Sequence, residues 1–398
     1  MKRALPTSKP LAPVEAAALL VAHHGLRRPV HPRGAAGVRA LLGQARCIQL
    51  DPLEPLGSNA DLVALARLDG IERGDVYRHL FPGHAFEHFA KERCLLPASA
   101  FPWYRARARD PGWWQMGPWR YLAKRAGELS KGTVERVLEE VRARGPISSA
   151  ALGDHGRVQA EDWSGWKTTG RAATLALQVL WVRCEVVVVG KAGRGKLFDV
   201  AERALGHLPH GPAHDDPAAF QRWALLERVA AAGLLARASG PTWRLLGPAR
   251  ESGLADALVE EGLLDEVAID GSPRRYLAIR GFANHKLPKS DGRMRLLGPL
   301  DPLIWDRKLV KEAFGFDYTW EVYKPARLRD YGWYVVPLLQ GDRLVGRLEG
   351  EVKGTSLRVK KLWTEPGAAF DRAALGECLE RHARACGATR VVLPRRRS

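Results

Sequence analysis

The sequence predicts an α+β protein in which helix-and-hairpin units precede a C-terminal β-rich, barrel-like domain. Three observations predict this class. Helical apolar spacing recurs through the first two thirds of the chain, strand-turn-strand patterns follow some of those helices, and the last third alternates apolar and polar residues between glycine-containing turns. Because 398 residues exceed one ordinary hydrophobic core, we expect several domains.

The first predicted domain covers residues 1–130. Apolar spacing predicts helices over 14–24 and 35–45, followed by a short strand in the stretch RCIQLD. A polar turn rich in glycine and proline comes next, and helices are expected again over 74–81 and 85–93. This region contains the stretch that later carries the catalytic hypothesis.

The second predicted domain covers residues 131–213. A helix over 133–143, a short helix in SAALGD and a third helix from Thr168 to Val182 precede the hairpin EVVVVGKAGRGKLFDV. Three helices followed by a hairpin is the order of a winged helix, a DNA-binding fold whose third helix enters a groove. The cations predicted to contact DNA from this third helix and its basic wing are Lys167, Arg171, Lys191, Arg194 and Lys196.

The third predicted domain, residues 214–290, repeats this pattern, with helices over 218–232 and 251–261 and a hairpin carrying Arg274 and Arg275 at its turn. The fourth, residues 291–398, reads as an antiparallel meander closed by a helix and the strand TRVVL. Tandem winged helices followed by a β-rich domain are therefore the predicted architecture.

The charge balance favours a polyanionic partner. A formal net charge of +18 and a pI near 10 predict nucleic acid binding through counterion release, although an arginine-rich genome would also raise basicity. Five cysteines without CxxC spacing indicate reduced thiols of a cytosolic protein. The sequence shows neither an apolar run of ~18 residues nor a signal peptide, so we expect no membrane span and a cytoplasmic, nucleoid-associated location.

The segment Gln49-Leu50-Asp51 is the main candidate for chemistry. Side chains alternate along a strand, so Gln49 and Asp51 would share one side with Cα atoms ~6–7 Å apart, near enough to reach one water molecule. Asp51 would accept a proton from that water and the Gln49 amide would orient it. The structural alternative is a cap or turn at a strand end.

Other polar clusters favour structural readings. Gly190–Lys196 matches a phosphate-binding loop except at Leu197, where a magnesium-binding hydroxyl is required, and a hairpin tip fits better. The histidines and aspartates of 207–216 lie in a proline-rich linker, and the His84 and His88 pair lacks an HExxH motif, so no metal site is predicted. We expect an ion-paired corner at Asp301 and Asp306.

Several stretches resemble the YcaQ/AlkZ family of winged-helix DNA glycosylases over nearly the whole chain. They are RCIQLD, FEHFAKERCLLP and the long block from LLGPLDPLIWDRK to RLVGRLEGEV. The family signature is Gln-apolar-Gln or Gln-apolar-Asp, and Gln49-Leu50-Asp51 has the second form, which is that of the YcaQ-like branch. Where such members usually continue with an Arg-x-His pair, this chain has Ser58 and Ala60, so it is a divergent member.

The resemblance implies a monofunctional glycosylase that excises alkylated purines, chiefly N7-modified guanines, and unhooks interstrand crosslinks. It implies Asp51 and Gln49 as catalytic residues, no metal or organic cofactor, and damaged double-stranded DNA as the partner of a monomer. A family histidine is Lys91 here, and Glu54 and Asn59 are additions near the site, of which Asn59 is a predicted DNA contact. The alternative hypotheses are a non-catalytic winged-helix regulator or lesion sensor and, more weakly, a nucleotide-dependent enzyme.

Overall fold

The structure is a computed structural model that describes residues 9–110, 113, 120–161, 167–193, 195–238 and 240–394. Two helix predictions near the N-terminus are confirmed, because alanine- and leucine-rich segments with helical spacing form helices that bury their apolar faces. The described helices are α1 Pro13–His23, α2 Gly34–Ala45, α3 Asn59–Leu65, α4 Asp75–Leu80, α5 Phe101–Ala108, α6 Arg120–Ala126, α7 Thr133–Arg144, α8 Ala172–Val182, α9 Ala201–Leu205, α10 Pro212–Asp215, α11 Pro217–Ala232, α12 Gly247–Glu251, α13 Leu254–Glu260, α14 Arg307–Phe314 and α15 Arg372–Ala385.

The strands are short in the first two thirds of the chain and longer in the last third. The described strands are β1 Ile48–Gln49, β2 Ala85–Phe89, β3 Arg93–Pro97, β4 Ile147–Ser148, β5 Arg157–Glu161, β6 Lys167–Arg171, β7 Val186–Ala192, β8 Gly195–Val200, β9 Leu235–Ala236, β10 Leu264–Ala268, β11 Arg275–Ile279, β12 Met294–Leu296, β13 Val335–Gln340, β14 Arg343–Lys353, β15 Ser356–Thr364 and β16 Arg390–Val392. Mixed α+β composition is therefore confirmed.

The chain divides into two compact units that do not follow the sequence in order. One unit comprises Met1–His79, Ala90–Cys94 and Arg222–Ser398, and the other comprises Leu80–Phe89 and Leu95–Gln221. The fourfold division expected from the sequence stays a prediction.

The larger unit contains a five-stranded sheet in the order β12-β13-β14-β15-β16. Its neighbouring strands are antiparallel except β15 and β16, which are parallel. Buried residues of the sheet and of α15 form one apolar cluster, which includes Leu338, Leu348, Leu357 and Leu379. Since β13, β14 and β15 follow one another through short turns, the predicted meander is confirmed.

A second core of the larger unit packs α1 against α14. Leu20 and Val21 from α1 meet Leu309 and Val310 from α14 within it. The predicted hairpin near Arg274 is also present, because β10 and β11 pair in an antiparallel register from Leu264 opposite Ile279 onwards.

The smaller unit contains the predicted hairpin of β7 and β8, which pairs Lys191 with Lys196 and Ala192 with Gly195. Strand β4 adds to β8, giving a three-stranded sheet beside α7 and α8. Because Gly195–Val200 form strand β8, Lys196 does not lead into the helix that a phosphate-binding loop requires.

Two helix expectations are wrong. Residues 85–93, expected as a helix, contain strand β2, whose aromatic side chains suit a strand. The third helix of the hairpin unit begins at Ala172 and not at Thr168, because 167–171 form strand β6 paired with β5. Two adjacent threonines at 168 and 169 are β-branched and favour that extended backbone.

Among the described residues, none of the helices combines the length and the apolar composition needed to cross a bilayer. Within the same residues, no group of three or more histidine, cysteine, aspartate or glutamate side chains is arranged to hold a metal ion.

Candidate active site

The candidate site begins where α2 ends. Arg46 caps that helix with a φ of 60°, a conformation that turns the chain sharply, and the two-residue strand β1 follows. The backbone N–H of Leu50 then donates to the carbonyl of Arg93 at 2.8 Å, which continues the pairing past Gln49. The predicted strand is therefore present but shorter than the RCIQLD pattern indicated, and Asp51 lies just beyond it.

Asp51 adopts the turn conformation that was the structural alternative. Its Oδ1 accepts the backbone N–H of Leu53 at 2.8 Å, an Asx turn across Pro52. The side chain is half-buried, and in the part of the chain that the structure describes no lysine, arginine or histidine nitrogen lies within 4.0 Å of it. Burial raises the pKa of the Asp51 carboxyl, and the Leu53 N–H opposes that rise.

Gln49 is 7% exposed and is held at both its backbone and its side chain. Its Oε1 accepts a hydrogen bond from Lys91 Nζ at 3.0 Å, and its carbonyl accepts one from Asn59 Nδ2 at 2.8 Å. A lysine ammonium can only donate, so the amide oxygen must face Lys91. The end of the Gln49 amide left for other partners is therefore its NH₂ group, a donor.

Lys91 is 7% exposed, and its Nζ lies 5.5 Å from the centre of the Trp305 ring. Over the described residues, no carboxylate oxygen comes within 4.0 Å of this nitrogen. Burial lowers the pKa of Lys91, Arg307 and Arg228 add to that effect, and Cys94 and Glu92 oppose it. A buried cation without a carboxylate partner is costly, and such groups concentrate at functional sites.

Asn59 supports the site from beneath. It is 1% exposed, and besides its bond to Gln49 its Oδ1 accepts the N–H of Leu300 at 3.3 Å. A Cβ at Gly298 would come 2.4 Å from that oxygen, so the close approach requires glycine. Asn59 is predicted to contact DNA, whereas in the structure its buried side chain holds the backbone of Gln49.

The loop after Asp51 is anchored to the five-stranded sheet and to α15. Val352 N donates to the Pro55 carbonyl at 2.7 Å, and His382 Nε2 donates to the Leu56 carbonyl at 2.7 Å. Burial lowers the pKa of His382 to about 4, so this ring is neutral and donates through one N–H at neutral pH. These bonds hold the turn that contains Asp51 on a rigid support.

The ion-paired corner predicted at Asp301 is confirmed. Its carboxylate is fully buried and accepts two hydrogen bonds from Arg67, at 2.7 and 2.8 Å. Arg67 also donates to the carbonyls of His24 and Val63, so the guanidinium is satisfied inside the fold.

The family model described as "DNA glycosylase AlkZ-like" matches residues 42–385. The chain belongs to the AlkZ-like DNA glycosylase family. The solved structure of Streptomyces sahachiroi DNA glycosylase AlkZ has a similar fold, with a TM-score of 0.58 over 97% of this chain and 100% of that one at 18% identity.

Family membership makes this chain a DNA glycosylase, a DNA-binding enzyme of DNA repair. It decides between the hypotheses drawn from the sequence, since the regulator and the nucleotide-dependent enzyme are not glycosylases. The resemblance that was drawn from the motifs is thereby confirmed.

The cations of the glycosylase that are predicted to contact DNA differ in the hydrogen bonds, ion pairs and secondary structure in which they take part. In the smaller unit, Arg171 donates to four carbonyls between Ser149 and Gly153, which assigns it to holding that turn. Lys196 forms an ion pair with the buried Glu87. Lys191 is exposed on β7. Lys167 begins β6 and not a groove-facing helix. The predicted contact at Arg194 lies outside the described residues.

In the larger unit, two adjacent arginines of the predicted wing contrast with each other. Arg274 donates to both oxygens of Asp306, at 3.3 and 2.5 Å, and stacks on Tyr276. Arg275 is 47% exposed at its side chain, with one carboxylate oxygen, from Glu266, at 3.9 Å. Arg274 is therefore structural, whereas Arg275 is accessible to a phosphate.

Sequence reasoning missed two features of this region. Lys91 was noted only as a replacement, and its bond to Gln49 has no signal in a sequence because 42 residues separate the two. Tyr323 is 77% exposed. The signal in the sequence is an aromatic residue near a proline in a loop, because binding surfaces concentrate aromatic residues in loops.

Proposed function

We propose that this glycosylase hydrolyses the N-glycosidic bond of N7-alkylguanine in double-stranded DNA, with Asp51 and Gln49 as its catalytic residues. Crosslinks formed through guanine N7 carry the same cationic leaving group and form the second substrate class of the proposal. No cofactor is required, since the alkylated base is itself a good leaving group.

The observation that carries this proposal is the electrostatic state of Asp51. The chain has a formal charge of +18, yet no cationic side chain neutralises this half-buried carboxylate within the described residues. Burial raises its pKa, which makes the carboxylate a better base near neutral pH than an exposed aspartate. Such a group is suited to hold a proton or to face a positive charge.

The chemistry uses both properties. As the bond between C1′ and N9 breaks, its electron pair leaves with the base, and N7 alkylation makes that base neutral after departure. The sugar becomes oxocarbenium-like, and the Asp51 carboxylate stabilises its positive charge. Water then adds to C1′ and its proton passes to Asp51.

Gln49 orients the reactants in this proposal. Lys91 occupies its amide oxygen, so Gln49 presents N–H donors to the attacking water or to a sugar oxygen. Lys91 is a positioning residue, because it acts through the amide of Gln49.

The proposal also covers the family branch, the winged-helix units, the oligomeric state and the location of the enzyme. The Gln-x-Asp form supports the YcaQ-like branch. The succession of α7, α8 and the β7–β8 hairpin, and of α11, α13 and the β10–β11 hairpin, supports tandem winged helices. We place a monomeric enzyme at damaged DNA in the cytoplasm, associated with the nucleoid, with exposed cations such as Lys191 and Arg275 at the phosphates.

The test is release of 7-methylguanine from a methylated duplex under single-turnover conditions. Asp51→Asn keeps the acceptor for the Leu53 N–H and removes only the charge and basicity. We expect the release rate to fall by about 10²–10⁴-fold, the usual contribution of a general base. DNA affinity, measured by fluorescence anisotropy, should stay within about twofold.

Two results would contradict the proposal. One is a wild-type protein that releases no base from any N7-alkylated duplex, and the other is an Asp51→Asn protein that releases it at the wild-type rate.

A further inference from the structure

Segment 320–334 of the larger unit exposes large apolar side chains. Tyr323 is 77% exposed, and Leu328 and Trp333 are exposed as well. Burying apolar area stabilises a fold, so a folded segment that leaves an aromatic ring in solvent is a candidate contact surface.

This segment is held in one conformation by Glu321, which is 2% exposed. Its Oε1 accepts from Lys324 Nζ at 2.7 Å and from Asp330 N at 3.1 Å, and its Oε2 accepts from Tyr331 N at 2.8 Å. Although burial raises the pKa of Glu321, these hydrogen bonds hold it at about 2. Tyr323 therefore extends from a preorganised loop, so little conformational entropy is lost when it binds.

The base of this loop packs on the same core as the candidate active site. The Tyr323 ring meets Trp320 edge-on, with ring centres 5.7 Å apart, and Trp320 meets Tyr334 at 6.1 Å. Trp320 and Leu53, two residues after Asp51, pack against one apolar cluster. The loop and the Asp51 turn thus share a rigid support.

The pKa of the Tyr323 hydroxyl is raised, partly by nearby negative charge. Burial raises the pKa of the Tyr323 hydroxyl, and the carboxylates of Asp51 and Glu92 raise it further. The phenol is therefore neutral at physiological pH. An electron-rich ring face and the uncompensated Asp51 carboxylate thus lie on one apolar support in a protein whose net charge is strongly positive.

We propose that the exposed ring of Tyr323 stacks on the cationic alkylated base beside Asp51 and selects it over neutral purines. This inference rests on the proposed function and deepens it, since it names the property of the lesion that is recognised. A ring face attracts a cation through its quadrupole, and a neutral purine gains only the stacking contact. An open loop also suits a bulky lesion, because the base need not enter an enclosed cavity.

Binding to a non-hydrolysable substrate tests this selection separately from catalysis. The probe is a duplex containing one N7-methyl-2′-fluoroarabinoguanosine, which keeps the cationic base and resists hydrolysis, and the reference duplex has guanine at that position. The measured quantity is the ratio of the two Kd values. We expect Tyr323→Leu to reduce the wild-type ratio about fivefold to tenfold, within the range of a cation–π contact, and Tyr323→Phe to keep it within about twofold.

Trp333→Leu is the matched control, because it removes another exposed aromatic ring from the same loop, and it should leave the ratio unchanged. Thermal melting checks that each variant is folded. The inference is overturned if wild type shows no preference for the cationic duplex, if Tyr323→Leu keeps the preference, or if Tyr323→Phe loses it as fully as Tyr323→Leu does.

Base release by the same proteins separates the two proposals. A wild-type protein that prefers the cationic duplex through Tyr323 but releases no base contradicts the proposed function and supports the inference. A wild-type protein that releases base but shows no preference for the cationic duplex supports the proposed function and contradicts the inference.

Discussion

The tetrapeptide Leu-Asp-Pro-Leu occurs twice in this glycosylase, at 50–53 and at 300–303, with opposite consequences. Both aspartates accept the backbone N–H two residues later, Asp51 at 2.8 Å and Asp301 at 3.0 Å. Asp301 is fully buried and paired with Arg67, whereas Asp51 is half-buried and meets no cationic side chain among the described residues. The same local hydrogen bond therefore accompanies a structural ion pair in one place and a candidate base in the other.

The difference shows that the surroundings of a carboxylate decide whether its role is structural or chemical. A buried pair with complete hydrogen bonding has little reactivity and contributes rigidity. A carboxylate left without a cation in a basic protein is available to a positively charged transition state. Substitutions at the two aspartates should therefore have unequal effects.

The contrast fails if the two aspartates contribute equally to stability. Asp301→Asn leaves the buried guanidinium of Arg67 without its charge partner, so we expect the free energy of unfolding to fall by about 3–5 kcal/mol. Asp51→Asn removes no ion pair and should change it by less than about 1 kcal/mol. Urea denaturation at pH 7 measures both, and equal losses would refute the assignment of roles.

Lys91→Met tests the residue that donates to the amide oxygen of Gln49. Removing the donor lets the amide rotate, so we expect the rate of base release to fall about tenfold, the worth of one hydrogen bond to a charged group. Because Lys91 acts through Gln49, the double variant with Gln49→Ala should be no slower than Gln49→Ala alone. Additive losses would mean that Lys91 has a separate role.

The pH dependence of base release should follow the Asp51 carboxyl. Its pKa is raised by burial above the ordinary value of 3.8, and the ionised form is the active one. The rate should therefore be constant well above the raised pKa and fall as pH drops through it, so the acid limb lies above pH 3.8. Single-turnover rates corrected for spontaneous depurination measure this, and the limb should be absent from the residual activity of Asp51→Asn.

The smallest expected effect concerns the adjacent arginines of the β10–β11 hairpin. For DNA binding, the logarithm of the association constant falls linearly with the logarithm of the salt concentration. Arg275→Ala should make this negative slope shallower by about 0.9, which corresponds to the loss of one phosphate contact. Arg274→Ala breaks the pair with Asp306 and should lower stability by about 1–3 kcal/mol while leaving the slope unchanged. A flattened slope in Arg274→Ala alone would reverse the two assignments.

Predictability from sequence differed between helices and contacts. The periodic segments α1, α2 and α11 were predicted within about one residue, since local spacing determines a helical face. Strand β2 was missed because a strand of five residues is too short for its pattern to be separated from that of a helix, although its phenylalanines favour a strand. Arg171 and Arg274 were expected at DNA because charge is visible in a sequence and an ion-pair partner is not.

By itself the sequence determined the α+β class, the positive charge, the family and the Gln49-Leu50-Asp51 motif, all of which depend on composition, local spacing or short motifs. Only the tertiary structure decided that Lys91 donates to the Gln49 amide, that Asn59 is buried against the Gln49 backbone and that Tyr323 is exposed. The two Leu-Asp-Pro-Leu segments give the physical reason. Identical residues make the same hydrogen bond from the aspartate to the backbone two residues later, but the charge that neutralises a carboxylate comes from a distant part of the chain.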